Sequence, residues 1–215
     1  MLLCSLRTLT LNHSKILIKP TTVPNLISEL FDPSPFSIEE EQLMMQKLTR
    51  QEINKGEHLL RPGQEVNNFY YIKEGCLRTY FIDPSGKEFT LQFGISGWWI
   101  SDYIALYDKH RTQAVCFIEC LKKAVIYKVS KRDFDDLCLQ IPKLGHFHRS
   151  NLESAFAAFQ NRILENLTLS ARERYVNFID AYPDIEQNVK NYHIASYLGI
   201  TTESLSRIRK EIASE

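Results

Sequence analysis

Seven polar residues near the end of the chain carry its most specific chemistry: Thr202, Glu203, Ser204, Ser206, Arg207, Arg209 and Lys210. An arginine fork offers two parallel hydrogen bonds to guanine, a glutamate accepts from the cytosine amino group, and short hydroxyls serve either base edge. Arg209 and Lys210 have the charge and reach for phosphate, which positions a protein on a duplex without reading its sequence. Such groups need a rigid platform, and the preceding residues have the pattern of one. Ile194, Ala195 and Leu198 fall on one face of a short helix, with Ala195 small where a second helix has to cross closely. Gly199 stands where the chain leaves that helix and needs a positive φ. Ile200 is a plug in the turn, Thr201 a natural N-cap, and Leu205 and Ile208 anchor the second helix on the first. The pattern predicts a helix-turn-helix whose second helix puts its N-terminal side chains into the major groove. The competing reading is an ordinary helical hairpin with a solvated outer face, against which the glycine, plug, cap and arginine weigh together.

The elements upstream have a different period. Between Glu52 and Val129, turns recur at Lys55-Gly56, Pro62-Gly63, Glu74-Gly75, Asp83-Pro84-Ser85-Gly86 and Ser96-Gly97. They separate short β-branched and aromatic runs at 69–72, 77–82 and 89–93, followed by further runs at 115–120 and 124–129. Short strands punctuated in this way predict an antiparallel sandwich or barrel. Ser37, followed by Glu39, Glu40 and Glu41, is an N-cap with acids in the first turn of a helix that runs to about Thr49. After Ser130 the helical period returns, with a short helix through Phe134, Leu137 and Cys138 ended by Pro142. Leu152, Phe156, Phe159, Ile163 and Leu167 then form a one-sided apolar stripe on a long helix. That stripe is the candidate seam of a two-fold dimer, and packing on the chain's own β domain is its alternative. Ser170 and Glu173 form a capping box for a helix through Tyr175, Phe178 and Ile179 that stops before Pro183.

Composition narrows the function classes. The 215 residues are 44% hydrophobic and 24% charged, enough for a buried core without staples. Lys and Arg number 26, as do Asp and Glu, so the formal charge is zero. A non-specific DNA coater is disfavoured, while a local basic surface on a sequence reader is not. Five cysteines at irregular spacing, with no secretory signal before them, indicate a reducing compartment, the cytoplasm. Polar residues interrupt every apolar run, so no membrane span is expected. No nucleophile elbow, zinc-protease motif or phosphate-cradling loop points to an enzyme. Cys116 and Cys120 share strand parity with Ile118 as core residues, and His146 with His148 is too small a set to predict a metal.

The run from Ala195 to Lys210 resembles the DNA-reading end of the Crp/Fnr family. Tyr70-Tyr71-Ile72-Lys73-Glu74-Gly75 and the Ser85-Gly86-Lys87-Glu88 turn resemble its cyclic-nucleotide-binding β-roll. The resemblance implies an α+β chain: an antiparallel, double-stranded, jelly-roll-like β-roll, a dimerisation helix and a C-terminal helix-turn-helix. Its divisions are a poorly ordered leader at 1–22, the roll with flanking helices at 23–142, the dimer helix at 143–168 and the DNA-binding end at 169–215. The implied partners are an operator in double-stranded DNA, a second copy of the chain, and RNA polymerase. The family's base-reading trio of Arg, Glu and Arg corresponds to Thr202, Glu203 and Arg207, so the target half-site is expected to differ. The family's β wing after the recognition helix is not expected in a sequence that stops at Glu215. Where cyclic-AMP binders carry Gly-Glu, this chain has Ser101 and Asp102. The phosphate pair is either Arg111 and Thr112 or, counted back from the next strand, Ala114 and Val115. Ordinary cyclic AMP binding is therefore disfavoured. Another small effector remains open, in a pocket drawn from Gly86, Trp98, Trp99, Ser101, Asp102, Arg111 and Thr112; the tryptophans also suit packing at the barrel end. The iron–sulfur members use several N-terminal cysteines, where this chain has Cys4, so no cofactor is assigned. The alternatives are a scaffold module that holds a protein partner, or a ligand sensor whose DNA-binding end is vestigial.

Overall fold

The turn-forming glycines and the long β-branched runs build one antiparallel sheet. In the computed structural model, which describes residues 26–31, 36–108, 110 and 112–214, its strands are β1 (Thr49–Ile53), β2 (His58–Leu60), β3 (Asn68–Ile82), β4 (Glu88–Ile95), β5 (Trp99–Ile100) and β6 (Phe117–Ser130). The order is β1-β6-β3-β4, with β2 added on β6 and β5 on β3. The leader at 1–22, Cys4 and Arg111 lie outside the described residues.

Two expected breaks are absent. Residues 69–72 and 77–82 are one strand, β3, and Glu74-Gly75 is a bulge within it: the register against β6 shifts around Glu74, Cys76 and Leu77. A bulge bends a strand and raises its twist without ending it. Gly75 is required there, because its φ is +103° and an added Cβ would lie 2.5 Å from the Lys123 carbonyl oxygen. The segment at 124–129 likewise continues the strand that begins at Phe117, whereas Val115 and Cys116 precede it. The long β3–β6 ribbon is what curls into a roll. Phe69, Ile72, Leu77, Ile100, Ile118 and Ile126 fill its interior.

Helices close the roll at both chain ends. α1 (Leu26–Leu30) and α2 (Ile38–Lys47) come first, and α2 carries the Ser37–Glu40 capping box. α3 (Tyr103–Tyr107) follows β5, and α4 (Lys131–Gln140) follows β6 under a Ser130 cap. Pro142 then occupies the first turn of α5 (Pro142–Thr168), where its missing N–H costs nothing. Beyond it come α6 (Ala171–Ala181), with the predicted Ser170–Glu173 box, α7 (Pro183–Asn188), α8 (Asn191–Leu198) and α9 (Thr202–Ala213). Pro183 starts α7 as well as ending α6. The C-terminal helices have their own core of Tyr175, Phe178, Ile185, Ile194, Leu198, Leu205 and Ile208, which continues onto Phe93 of β4 and Cys76 of β3. Among the described residues, no helix is long and apolar enough to cross a membrane.

Candidate nucleic-acid interface

α8 ends at Gly199, whose φ of 70° and ψ of 30° are left-handed, and the next amide, Ile200 N–H, donates back to the Ala195 carbonyl at 3.0 Å. This turn satisfies the last carbonyls of α8 and redirects the chain at once. Thr201 then caps α9 by accepting from Ser204 N–H at 3.2 Å. Ile194, Ala195 and Leu198 bury against Leu205 and Ile208, as the spacing predicts. The opposite face of α9 carries Glu203, Arg207 and Lys210 in solvent, with Thr202, Ser204 and Ser206 half-buried at its sides. The Arg207 side chain is 74% exposed, and its closest carboxylate, Glu211, is 3.8 Å away, too loose to hold the fork. Hydrogen bonds from its own amide and the Thr201 hydroxyl lower the Glu203 pKa, keeping it an ionised acceptor.

Arg209 departs from the expected grouping. It turns inward, donating from Nε to the Tyr175 hydroxyl at 3.0 Å and from Nη1 to Asn191 Oδ1 at 2.5 Å. Nη2 lies 2.9 Å from Glu186 Oε1. Two of its nitrogens thus donate hydrogen bonds within the C-terminal helices and the third faces a carboxylate.

The helix-turn-helix is seated on the free edge of β4. Thr90 N–H donates to Ser196 Oγ at 2.9 Å, and that hydroxyl donates to the Glu88 carbonyl at 3.0 Å. Arg162 of α5 donates to the Leu91 carbonyl at 2.5 Å and lies over the Tyr197 ring. Phe93 packs on Tyr197 and Phe178, and Trp98 meets Tyr182 edge-on. A cleft of about 360 Å³ opens along this seam beside Thr90, Arg162 and Arg174.

The residues expected to line an effector pocket are scattered. Asp102 is 2% exposed, and its carboxylate accepts from Ala105 N–H at 3.2 Å, Val115 N–H at 2.8 Å and Cys116 N–H at 3.0 Å. It caps α3 and pins the start of the next segment. The buried Ser101 hydroxyl donates to the Asn68 carbonyl at 2.8 Å. Trp98 faces the C-terminal helices, while Trp99 packs into the roll on Phe31, Tyr71 and Phe134. The two indoles have separate sets of partners and do not line one cavity. Gly86 sits in the β3–β4 hairpin turn, beyond Ile82, whereas Trp99 pairs with Tyr71 near the start of β3. Thr112 is exposed, and its carbonyl accepts from Val66 N–H.

Along α5, Phe147 packs on Phe31 and His148 on Phe134 and Phe69, so the first turns belong to the roll. The predicted stripe is not covered: Leu152 is half-buried, while Phe156, Phe159, Ile163 and Leu167 are 64%, 40%, 55% and 77% exposed. Cys116 and Cys120 are buried, and desolvation pushes their thiols up to about 12 and about 11, so they are inert core residues. Among the described residues, no three His, Cys, Asp or Glu side chains come together as a metal site.

Residues 50–140 match the cyclic nucleotide-binding domain family. The anaerobic regulatory protein of Haemophilus influenzae is 25% identical over 188 residues, covering 81% of this chain and 72% of its own. The regulatory protein HlyX of Actinobacillus pleuropneumoniae is 24% identical over 81% of this chain and 77% of its own. In three dimensions, the global regulator CLP of Xanthomonas campestris superposes with a TM-score of 0.67 at 12% identity, covering 83% of this chain and 92% of its own. A structure from Eubacterium rectale, described as a transcriptional regulator of the Crp/Fnr family, gives a TM-score of 0.64 at 17% identity over 83% and 84%. The chain shares its fold with that Crp/Fnr regulator. The Ser101 and Asp102 side chains are both committed to the main chain. Sequence reasoning missed the seat of α8 on β4; its only sign was a serine, Ser196, on a short helix.

Proposed function

We propose that the chain is a sequence-specific DNA-binding transcriptional regulator that acts as a homodimer. Residues 23–142 are its sensor, 143–168 its dimer helix and 169–215 its reader. The observation that carries this reading is the face of α9: Glu203, Arg207 and Lys210 project together from a helix whose other side is buried. Arg207 and Glu203 read base edges with help from Thr202, Ser204 and Ser206, and Lys210 meets phosphate. Two such helices, about 34 Å apart across a two-fold axis, enter successive major grooves. The uncovered stripe of α5 supplies the axis, since four large apolar side chains in water favour burial against a second copy. RNA polymerase is a further partner of this reading, and the cytoplasm its compartment.

The roll is the regulatory half, but not through ordinary cyclic AMP binding, because Asp102 and Ser101 are already satisfied. Regulation is a shift of the reader against the roll, two states biased by whatever binds the sensor. Duplex binding measured against salt tests the reading. A DNA reader loses affinity with a slope of about −0.9 per phosphate neutralised, whereas a protein adaptor shows no duplex binding. In the same assay, Arg207→Ala is expected to cost ~1–3 kcal/mol at the specific site and to relax one base pair. Equal binding by both proteins contradicts the base-reading role.

A further inference from the structure

Arg207 and Arg209 are two residues apart on α9, so at about 100° per residue they lie about 160° apart around the helix. Arg207 belongs to the solvent face; Arg209, only 25% exposed, flanks the buried row of Leu205 and Ile208. Its three partners come from three different helices: Tyr175 from α6, Glu186 from α7 and Asn191 from α8. The Tyr175 hydroxyl donates in turn to Glu186 Oε1 at 3.0 Å, and the guanidinium lies 5.6 Å from the Tyr175 ring centre. One side chain thus ties α9 to every other helix of the reader. Leu205 and Ile208 set how closely α9 approaches α8, but apolar contacts tolerate a few degrees of rotation. Directional hydrogen bonds to a planar fork do not.

We propose that Arg209 is a positioning residue for base discrimination: it fixes the rotation at which α9 presents Glu203 and Arg207 to the groove, and it makes no phosphate contact. This rests on the DNA-reading function above. The test uses the full chain, a duplex recovered by selection, and the same duplex with one half-site base pair changed. Binding is measured from about 50 to about 200 mM salt. Arg209→Gln is expected to keep the wild-type salt slope while the ratio between the two duplexes falls about tenfold. Tyr175→Phe shifts the ratio in the same direction, and Arg209→Lys, which keeps the charge but loses the fork, does not restore it. Lys210→Gln shows the contrast, losing about one unit of slope with the ratio intact.

If Arg209→Gln loses about one unit of slope and keeps the ratio, Arg209 touches phosphate and the proposal is overturned. An equal weakening on both duplexes also overturns it, since that is what partial unfolding alone produces. If Arg209→Gln does not fold, Tyr175→Phe and Arg209→Lys carry the same comparison. Selection of no duplex by the wild type would instead refute DNA reading. The positioning claim falls with it, because no base discrimination is then left to position.

Discussion

Asp102 accepts three main-chain hydrogen bonds while almost wholly buried, so its removal should be felt in folding before any ligand is considered. Asp102→Asn turns one acceptor into a donor facing donors, and it is expected to lower unfolding stability by ~2–4 kcal/mol in urea titration. A change below about 0.5 kcal/mol, the usual range for a surface site, would mean that the carboxylate is free for another task. Gly75→Ala should cost more than an ordinary glycine substitution, because its Cβ meets the Lys123 carbonyl and Ala124 backbone within the bulge. Near-wild-type stability of that variant would show that the bulge relaxes. The outward residues of α9 were legible in the sequence because its caps and apolar spacing fix which side is buried. Arg209 was not, since its partners lie on three other helices. Asp102 shows the same limit: two of its three donors, Val115 and Cys116, are more than ten positions away.

At the scale of elements, local signals located most boundaries, including the Ser37 cap of α2, the capping box of α6 and the left-handed exit of α8. The glycine-bearing pair Glu74-Gly75 was misleading, because the same residue type serves a turn and a bulge, and only cross-strand pairing distinguishes them. The stripe on α5 makes a sharper prediction. Phe159→Asp places a charge among Phe156, Ile163 and the mate's equivalent residues, and sedimentation should then show monomers. An unchanged dimer would remove α5 from the interface.

At the scale of the whole molecule, the C-terminal helices meet the roll through apolar packing on Phe93 and through polar contacts of α8 with β4, beside a charged cluster within the roll. Arg78, buried on β3, pairs with Glu88 at 2.8 Å and Glu119 at 2.7 Å and lies over Tyr80. His193 of α8 is buried in the same region. Burial first, then the charges of Arg78 and Lys190, push its pKa from the ordinary 6.5 down to about 3. In the unfolded chain this imidazole takes its proton near pH 6.5, whereas the folded chain refuses it until about 3. Its contribution to stability is therefore full above pH 6.5 and is lost as the pH falls, at about 1.4 kcal/mol per pH unit over that window. Thermal unfolding is expected at a lower temperature at pH 5 than at pH 7.5, with a smaller difference in His193→Gln. An equal difference in both would move the acid sensitivity to His58 or His148, whose pKa values burial also lowers.

In-vitro selection of duplex DNA by the purified chain, repeated with Arg207→Ala, tests the central claim most directly. The wild type should enrich a two-fold symmetric site with half-sites one helical turn apart, and the variant should enrich the same site with one base pair per half-site left degenerate. Recovery of no preferred sequence, or of an identical motif by both proteins, would contradict the account.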